Sequence, residues 1–487
     1  MPADNKDSGV WIDDPDTAPT ARTGLPVVVI GAGPIGLAAA AHLLDRGLEP
    51  LVLEAGPQVG TSIAQWRHVR LFSPWCLALD PVSVRMLEQT GWISPDLDAL
   101  PTGGNLLDHY LKPLAGLPAL SSRTRLHSTV LAVARDGVDK VRSPGRERLP
   151  FLVRIRDQYG DLYDLQARAV IDASGTWNQP NPLGASGLPA VGEPKASPHI
   201  VYGLPDVLGC DRARYAGRRV TVVGAGHSAA TSLLALAELQ HQDPRTEITW
   251  AIRSAHPRPL VGKGSAKADE LPARGQLAID LAALVGTGHI QLVSGFRIHT
   301  VEMADDRIWL VGDQLREGNL PPVRSLRVES DQVIGATGFR PDHSIATELR
   351  LGLAPALESP AALGPLIDPN VHTCGTVPVH GIAELAHPEA GYVIVGMKSY
   401  GRAPTFLLAT GYQQVHSVAA ALAGDLAGAT QPGHEPSATA LCALNRDLLT
   451  TARRRHQFGA PVLEPSAGIS ATGSAADWSA ATCCPKL

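Results

Sequence analysis

Val27-Val28-Val29-Ile30-Gly31-Ala32-Gly33-Pro34-Ile35-Gly36 is a β-branched run, a glycine-rich turn and the opening of an Ala/Leu-rich stretch with helical character. That is the strand–turn–helix context of a dinucleotide fingerprint. Gly31 permits the tight turn, Gly33 lets the backbone approach a pyrophosphate, and Gly36 lets the helix pack close to the strand. The helix N-terminus beginning at Pro34 then offers N–H groups and its dipole to the phosphates. Leu51-Val52-Leu53 reads as the next strand and ends in Glu54, 18 residues beyond Gly36. A carboxylate there accepts hydrogen bonds from both ribose hydroxyls and repels a 2′-phosphate, so FAD or NAD fits and NADP does not. The plain alternative is a glycine turn in an unrelated α/β protein.

The same design recurs 193 residues later as Val220-Thr221-Val222-Val223-Gly224-Ala225-Gly226-His227-Ser228-Ala229. Ala229 takes the place of the third glycine, a permitted variant. The strand that follows ends at Arg253-Ser254. A guanidinium there can clamp a 2′-phosphate bidentately, which points to NADPH, and its plain alternative is a solvated strand-end charge. Two loops imply two dinucleotides, and the usual reason to bind two is to pass electrons between them.

The composition sets outer limits. With 487 residues, two or three domains are expected. The net charge of −5, without a basic block, argues against nucleic acid. No apolar run reaches the roughly 18 residues of a membrane span. The acidic, polar start, with Asp4, Asp7, Asp13, Asp14 and Asp16, lacks the pattern of a signal peptide. A cytoplasmic, reducing location is the expectation, and Cys76, Cys210, Cys374, Cys442, Cys483 and Cys484 include no CxxC pair.

Along the chain, residues 1–24 read as a disordered lead-in. Segments near 126–134 and 151–156 alternate as antiparallel strands joined by the charged loop Arg142 to Arg148, and Val170-Ile171-Asp172-Ala173-Ser174-Gly175 is a buried strand ending in a small-residue turn. Five prolines between 176 and 198 suggest a domain crossing. Gln332 to Gly338 and Gly391 to Gly396 read as strands, Pro404 to about Ala423 as a helix, and 438–455 as a further helix ending at Arg453-Arg454-Arg455. The expected fold class is α/β: two Rossmann-like dinucleotide-binding domains of the three-layer ββα/βα type. The NADPH domain (196–335) is inserted into the FAD domain (25–195 and 336–458), and a flexible tail occupies 459–487. Apart from the two βαβ openings no repeat is visible.

These features together resemble the two-dinucleotide-binding-domain flavoproteins. Within them the chain looks most like the flavin-containing monooxygenase-like branch, including the ArsO-like proteins associated with arsenic-resistance operons. The resemblance spans about residues 25–425. It rests on the two loops, Glu54, Asp172-Ala173-Ser174-Gly175, Ala336-Thr337-Gly338-Phe339, Arg70-Leu71-Phe72-Ser73-Pro74-Trp75, and Gly396-Met397-Lys398-Ser399-Tyr400-Gly401-Arg402-Ala403-Pro404. It implies that Gln65 and Trp66 lie near the flavin, that Gly175, Gly338, Gly396 and Met397 are among the cofactor-binding residues, and that Val130 offers its backbone to the adenine. It further implies that a helix beginning at Pro404 aims its N-terminus at the flavin pyrimidine, stabilising charge at N1. The Baeyer–Villiger signature is absent; Ser197 to Gly203, with His199 and Tyr202, echoes it only loosely. Gly396-Met397 stands where many relatives carry Gly-Asp.

The implied activity is that of an FAD oxidoreductase reduced by NADPH: a flavin monooxygenase acting through a C4a-hydroperoxide on a small nucleophilic substrate. The alternative is a metalloid, metal or disulfide reductase using Cys483-Cys484, adjacent thiols able to hold a soft ion such as As(III). His372 is a further catalytic candidate, His380 a pocket candidate, and Cys374 reads as a buried structural cysteine. Cys76 shows no partner. A homodimer stands as an open assembly.

Overall fold

In the computed structural model the described residues are 22, 24–257, 271–304, 307–315, 323–371, 377–404 and 406–430. Residues 1–21 and 23 of the lead-in, the 438–455 helix, the tail, His372, Cys374, Cys442 and Cys483-Cys484 lie outside them.

Among the described residues there are sixteen strands: β1 (Val27–Ile30), β2 (Pro50–Leu53), β3 (Thr124–Arg125), β4 (Thr129–Arg135), β5 (Phe151–Arg156), β6 (Leu162–Ala167), β7 (Ala169–Asp172), β8 (Ile200–Tyr202), β9 (Arg219–Val223), β10 (Glu247–Ala251), β11 (Gln291–Val293), β12 (Phe296–Ala304), β13 (Arg307–Gln314), β14 (Val323–Ser330), β15 (Gln332–Gly335) and β16 (Tyr392–Ile394). Two five-stranded parallel sheets result, ordered β16-β7-β1-β2-β3 and β11-β10-β9-β15-β8. The whole second sheet is made between β7 and β16, so the chain leaves the first sheet and returns to it. Each glycine loop follows the central strand of its sheet, β1 or β9, and opens a helix, Pro34–Asp45 or His227–Gln242. That is the C-terminal edge, where open α/β sheets bind ligands.

Both strands preceding the loops are apolar on both faces, as sandwiched parallel strands must be. Val27, Val28 and Val29 are fully buried, as are Val220 and Val222. The first core packs helix Pro34–Asp45 against helix Leu408–Leu422, through Ile35, Leu43, Val415 and Val418. The second gathers Val222, Leu233, Leu236, Ile248 and Trp250.

Three features extend or change the sequence reading. The repeat goes deeper than the two βαβ openings, because each sheet carries its own three-stranded antiparallel meander, β4-β5-β6 and β12-β13-β14. This is a repeat of topology without a repeat of sequence. The charged loop is not simply solvated: Arg146 is buried and, with Arg135, grips Glu389 at 2.9 and 2.8 Å, tying the meander to the returning chain. Finally, the helix expected at Pro404 begins at Leu408, capped by an extended Leu407, with Pro404 exposed outside it. The backbone before it is tied to neighbouring backbone, Arg402 N–H donating to Leu357 O and Ala403 N–H to Tyr400 O. Among the described residues no helix is long and apolar enough to cross a membrane.

Candidate functional site: two nucleotide cradles and the wall between them

The first cradle is packed from behind and open in front. Gly31 has φ +97°, and a Cβ there would lie 2.9 Å from Ala173 O; one on Gly36 would lie 1.9 Å from Gly31 O. A Cβ on Gly33 would meet nothing within 4 Å. Gly33 is also the N-cap of the helix and supplies no side-chain cap, with Pro34 in the first turn. The helix end is therefore left for an anion. Glu54 closes the far side. Its Oε2 accepts from Ala32 N–H and its Oε1 from Gly56 N–H, both at 2.8 Å. The acid is fixed against the loop, and each oxygen keeps a lone pair for a ribose hydroxyl. Val130, 9% exposed, sits beside the bulge between Val130 and Ala132 in β4. The residues present thus fit a dinucleotide pyrophosphate and its ribose.

The second cradle repeats this arrangement. Gly224 has φ +135°, and its Cβ would lie 2.1 Å from Ala336 O, whereas Gly226 faces open space and caps its helix without a side chain. Ala229 is fully buried in place of the third glycine, and Ser228 is half-buried in the first turn. Arg253, exposed two residues past β10, donates to Ala185 O at 3.0 Å; Ser254 Oγ donates to His256 O at 2.6 Å. The His227 ring packs 5.1 Å from Phe72 of the first body.

Between the cradles the two crossings pair with each other. Asn181 N–H donates to Gly338 O and Arg340 N–H to Gln179 O, both at 2.9 Å, with a bridge between Pro180 and Phe339. Gly175 and Gly338 turn at φ +73° and +84°. Trp177 stacks on Phe339 at 4.9 Å, lies 6.4 Å from Trp66 and donates its indole N–H to Gln65 Oε1 at 2.8 Å. The predicted flavin neighbours Gln65 and Trp66 thus stand at the crossing.

The turn after β16 completes the wall. Gly396 N–H donates to Gln414 Oε1 at 2.7 Å; the Gln414 amide donates to Ser399 Oγ and to His380 Nε2, each at 2.9 Å. His380 therefore braces this turn from the core rather than facing a pocket, and burial pushes its pKa down. Met397 is half-buried beside it. His199 and Tyr202 are likewise satisfied within the second body: His199 Nδ1 meets Asp331 O at 3.1 Å, and the Tyr202 hydroxyl donates to Glu193. Cys76, expected without a partner, is disulfide-bonded and fully buried.

The sequence reading misses a buried ion pair in this wall. Lys398 Nζ stands 2.7 Å from Asp172 Oδ2 across 226 residues. The same oxygen accepts from the Tyr392 hydroxyl at 2.7 Å, while Oδ1 accepts from Ser174 N–H at 3.1 Å and Ser174 Oγ at 2.6 Å. Burial alone would raise the Asp172 pKa, but Lys398, Ser174 and Tyr392 together hold it below the ordinary carboxylate value. The available signal was an acid ending an otherwise apolar strand.

The fold and the paired glycine turns define an α/β protein of the two-sheet, Rossmann-like type. Residues 26–99, the first loop through Glu54 and beyond, match the family described as FAD dependent oxidoreductase. Over 51 residues the chain is 43% identical to the 15-cis-phytoene desaturase of Narcissus pseudonarcissus, a match covering 10% of this chain and 9% of that protein. Among solved structures it is similar to bacillithiol disulfide reductase Bdr (YpdA) from Bacillus cereus, with TM-score 0.58 and 20% identity over 82% of this chain and 99% of that one. It is also similar to DfoA, the cadaverine monooxygenase from Erwinia amylovora bound to FAD, with TM-score 0.56 and 16% identity over 85% and 95%. A third is the ornithine N-hydroxylase KtzI from Kutzneria sp. 744, with TM-score 0.50 and 16% identity over 90% and 100%. These likenesses carry the fold.

Proposed function

We propose that the protein is an FAD-dependent oxidoreductase reduced by NADPH and that it acts as a monooxygenase on a small nucleophilic substrate. The observation that carries the reading is the pair of cradles with opposite charges at their strand ends, Glu54 at the first and Arg253 at the second. The first then holds FAD, with the pyrophosphate at Gly31–Gly36 and the ribose at Glu54. The second holds NADPH, with the pyrophosphate at Gly224–Ser228 and the 2′-phosphate at Arg253 and Ser254. Bound FAD supplies the two-electron chemistry. The chain's own part is to orient: the crossing at Gly175–Asn181 and Thr337–Arg340 sets the relation of the two cradles, and Trp66, Trp177 and Phe339 exclude water beside it. A match of the first cradle to the FAD dependent oxidoreductase family, and solved structures of similar fold whose descriptions include a cadaverine monooxygenase and an ornithine N-hydroxylase, support this reading.

The test is anaerobic reduction of the purified holoprotein with NADPH, followed by admission of oxygen. A long-lived flavin spectrum distinct from both the oxidised and reduced forms is expected. Immediate reoxidation, with turnover of Hg(II) or a disulfide that is lost in Cys483→Ser/Cys484→Ser, would overturn monooxygenation in favour of a reductase. The absence of FAD from the protein would overturn both.

A further inference from the structure

The Asp172–Lys398 pair is costly in the place it occupies. Both residues are nearly without solvent contact, Asp172 at 0% and Lys398 at 1% exposure. Taking two charges out of water is seldom repaid by their attraction alone, and well-packed apolar residues would hold β7 against the Gly396 turn at least as well. An ion pair in such a position is a functional-site candidate when it adjoins a ligand cleft.

It adjoins one. Asp172 is the last residue of β7, and Lys398 lies in the turn that follows β16, so both stand at the C-terminal edge of the first sheet. Directly behind the pair is the first cradle, where a Cβ on Gly31 would approach within 3.2 Å of Ser174 Cα. Ser174 also gives the pair its outlet. Its hydroxyl donates to Asp172 at 2.6 Å and accepts from Lys398 Nζ at 3.1 Å, yet the residue itself is exposed. The chain Tyr392–Asp172–Lys398–Ser174 thus runs from the core to the cleft. On either side of it stand two expected cofactor neighbours, Gly175 and Met397.

We propose that this pair sets the reduction potential of the flavin held in the first cradle, with Lys398 as the positive charge that offsets the negative charge gained on reduction and Asp172 as the positioning residue that fixes and moderates it. In a site of low dielectric a unit charge acts across several ångströms, so the pair needs no direct contact with the ring. The proposal rests on the reading of the first cradle as the FAD site.

The test uses purified holoprotein, its two-electron midpoint potential, and its affinity for sulfite, an anion whose addition to flavin is favoured by nearby positive charge. Lys398→Met should weaken sulfite binding at least tenfold and lower the potential by about 30 mV, the equivalent of tenfold for a two-electron couple. Asp172→Asn should move both readouts the other way, and Lys398→Arg should stay near the parent. Opposite signs are the signature of charge, because a purely structural role would move all three variants in one direction. Equal potentials and sulfite affinities within twofold, in variants that still carry FAD, would overturn the proposal and leave the FAD reading standing. Should Lys398→Met not fold, an unchanged Asp172→Asn holoprotein overturns it equally. Parent protein without FAD would overturn the reading and the proposal together.

Discussion

The acid facing the Gly31 loop is already fixed in place, whereas the arginine beside the Gly224 loop is still exposed. Glu54 spends both oxygens on backbone N–H groups of its own cradle, and the Gly396 turn, packed on Ile35 of the same cradle, is braced by Gln414, His380 and Ser399. Arg253 is held by one carbonyl, Ala185 O, from the proline-rich crossing. The same supersecondary unit has thus been built once as a rigid seat and once as an open one. Pre-organisation lowers the ordering cost of binding, which suits a resident cofactor in the first cradle and an exchanging one in the second.

Added Cβ atoms test this difference most severely. Gly36→Ala places a methyl 1.9 Å from Gly31 O, so helix Pro34–Asp45 must lift off its strand. A loss of roughly 3 kcal/mol or more of stability is expected, together with the flavin absorbance of the purified protein. Gly224→Ala, 2.1 Å from Ala336 O, should damage the second body comparably and leave bound FAD in place. Loss of FAD in both variants would mean that the two seats are not independent.

Acid should also separate the two bodies. Among the described residues, four histidines are held neutral by burial, His343, His380, His387 and His416; all lie in the returning part of the first body, with His387 and His416 pushed down to about 4. Their folded pKa values fall below the unfolded 6.5, so the unfolded chain binds more protons in between. Their stabilising contribution is complete above about pH 6.5 and is lost as pH falls toward 4, by on the order of 3 kcal/mol for His387. Hydrogen exchange at pH 7.5 and pH 5 should show protection falling in 377–430 before it falls in β9 and β10. Equal loss in both would refute the assignment.

At the second seat, Arg253→Ala should raise the KM for NADPH about 10- to 100-fold with little change for NADH, as expected for one charge-assisted clamp. Glu54→Gln should loosen FAD without altering the preference between NADPH and NADH. An Arg253→Ala enzyme as selective as its parent would move the 2′-phosphate site elsewhere.

What could be read in advance follows the range of the interactions involved. Both cradles were legible because strand, glycine turn, helix and strand-end charge lie within a few dozen residues, each required by backbone geometry. The wall was not. Lys398 meets Asp172 across 226 residues, Arg146 meets Glu389 across 243, and Trp177 meets Gln65 across 112. Such pairs are created by the chain's return to its first sheet, and no local pattern announces them. The Pro404 helix was misplaced because Pro404 is an acceptable first-turn residue locally, whereas the helix starts only at Leu408, after an extended Leu407. The depth of the repeat was hidden because the two meanders share pairing order and not residue types.

The smallest expected effect concerns the seam joining the two seats. Phe72, from a loop of the first body, packs its ring 5.1 Å from His227, the first residue of the helix that would receive NADPH. An aromatic contact of this kind contributes about 1 kcal/mol, too little to lock the bodies and enough to bias how they meet. Phe72→Ala should therefore slow reduction by NADPH less than tenfold in stopped flow, while FAD content and the unfolding midpoint stay at parental values. Phe72→Tyr should restore the rate, because the ring rather than its substituent makes the contact. If Phe72→Ala instead raised the KM for NADPH with the limiting rate unchanged, the contact would belong to the second seat itself, and the comparison between a rigid and an open cradle would need Phe72 as part of the open one.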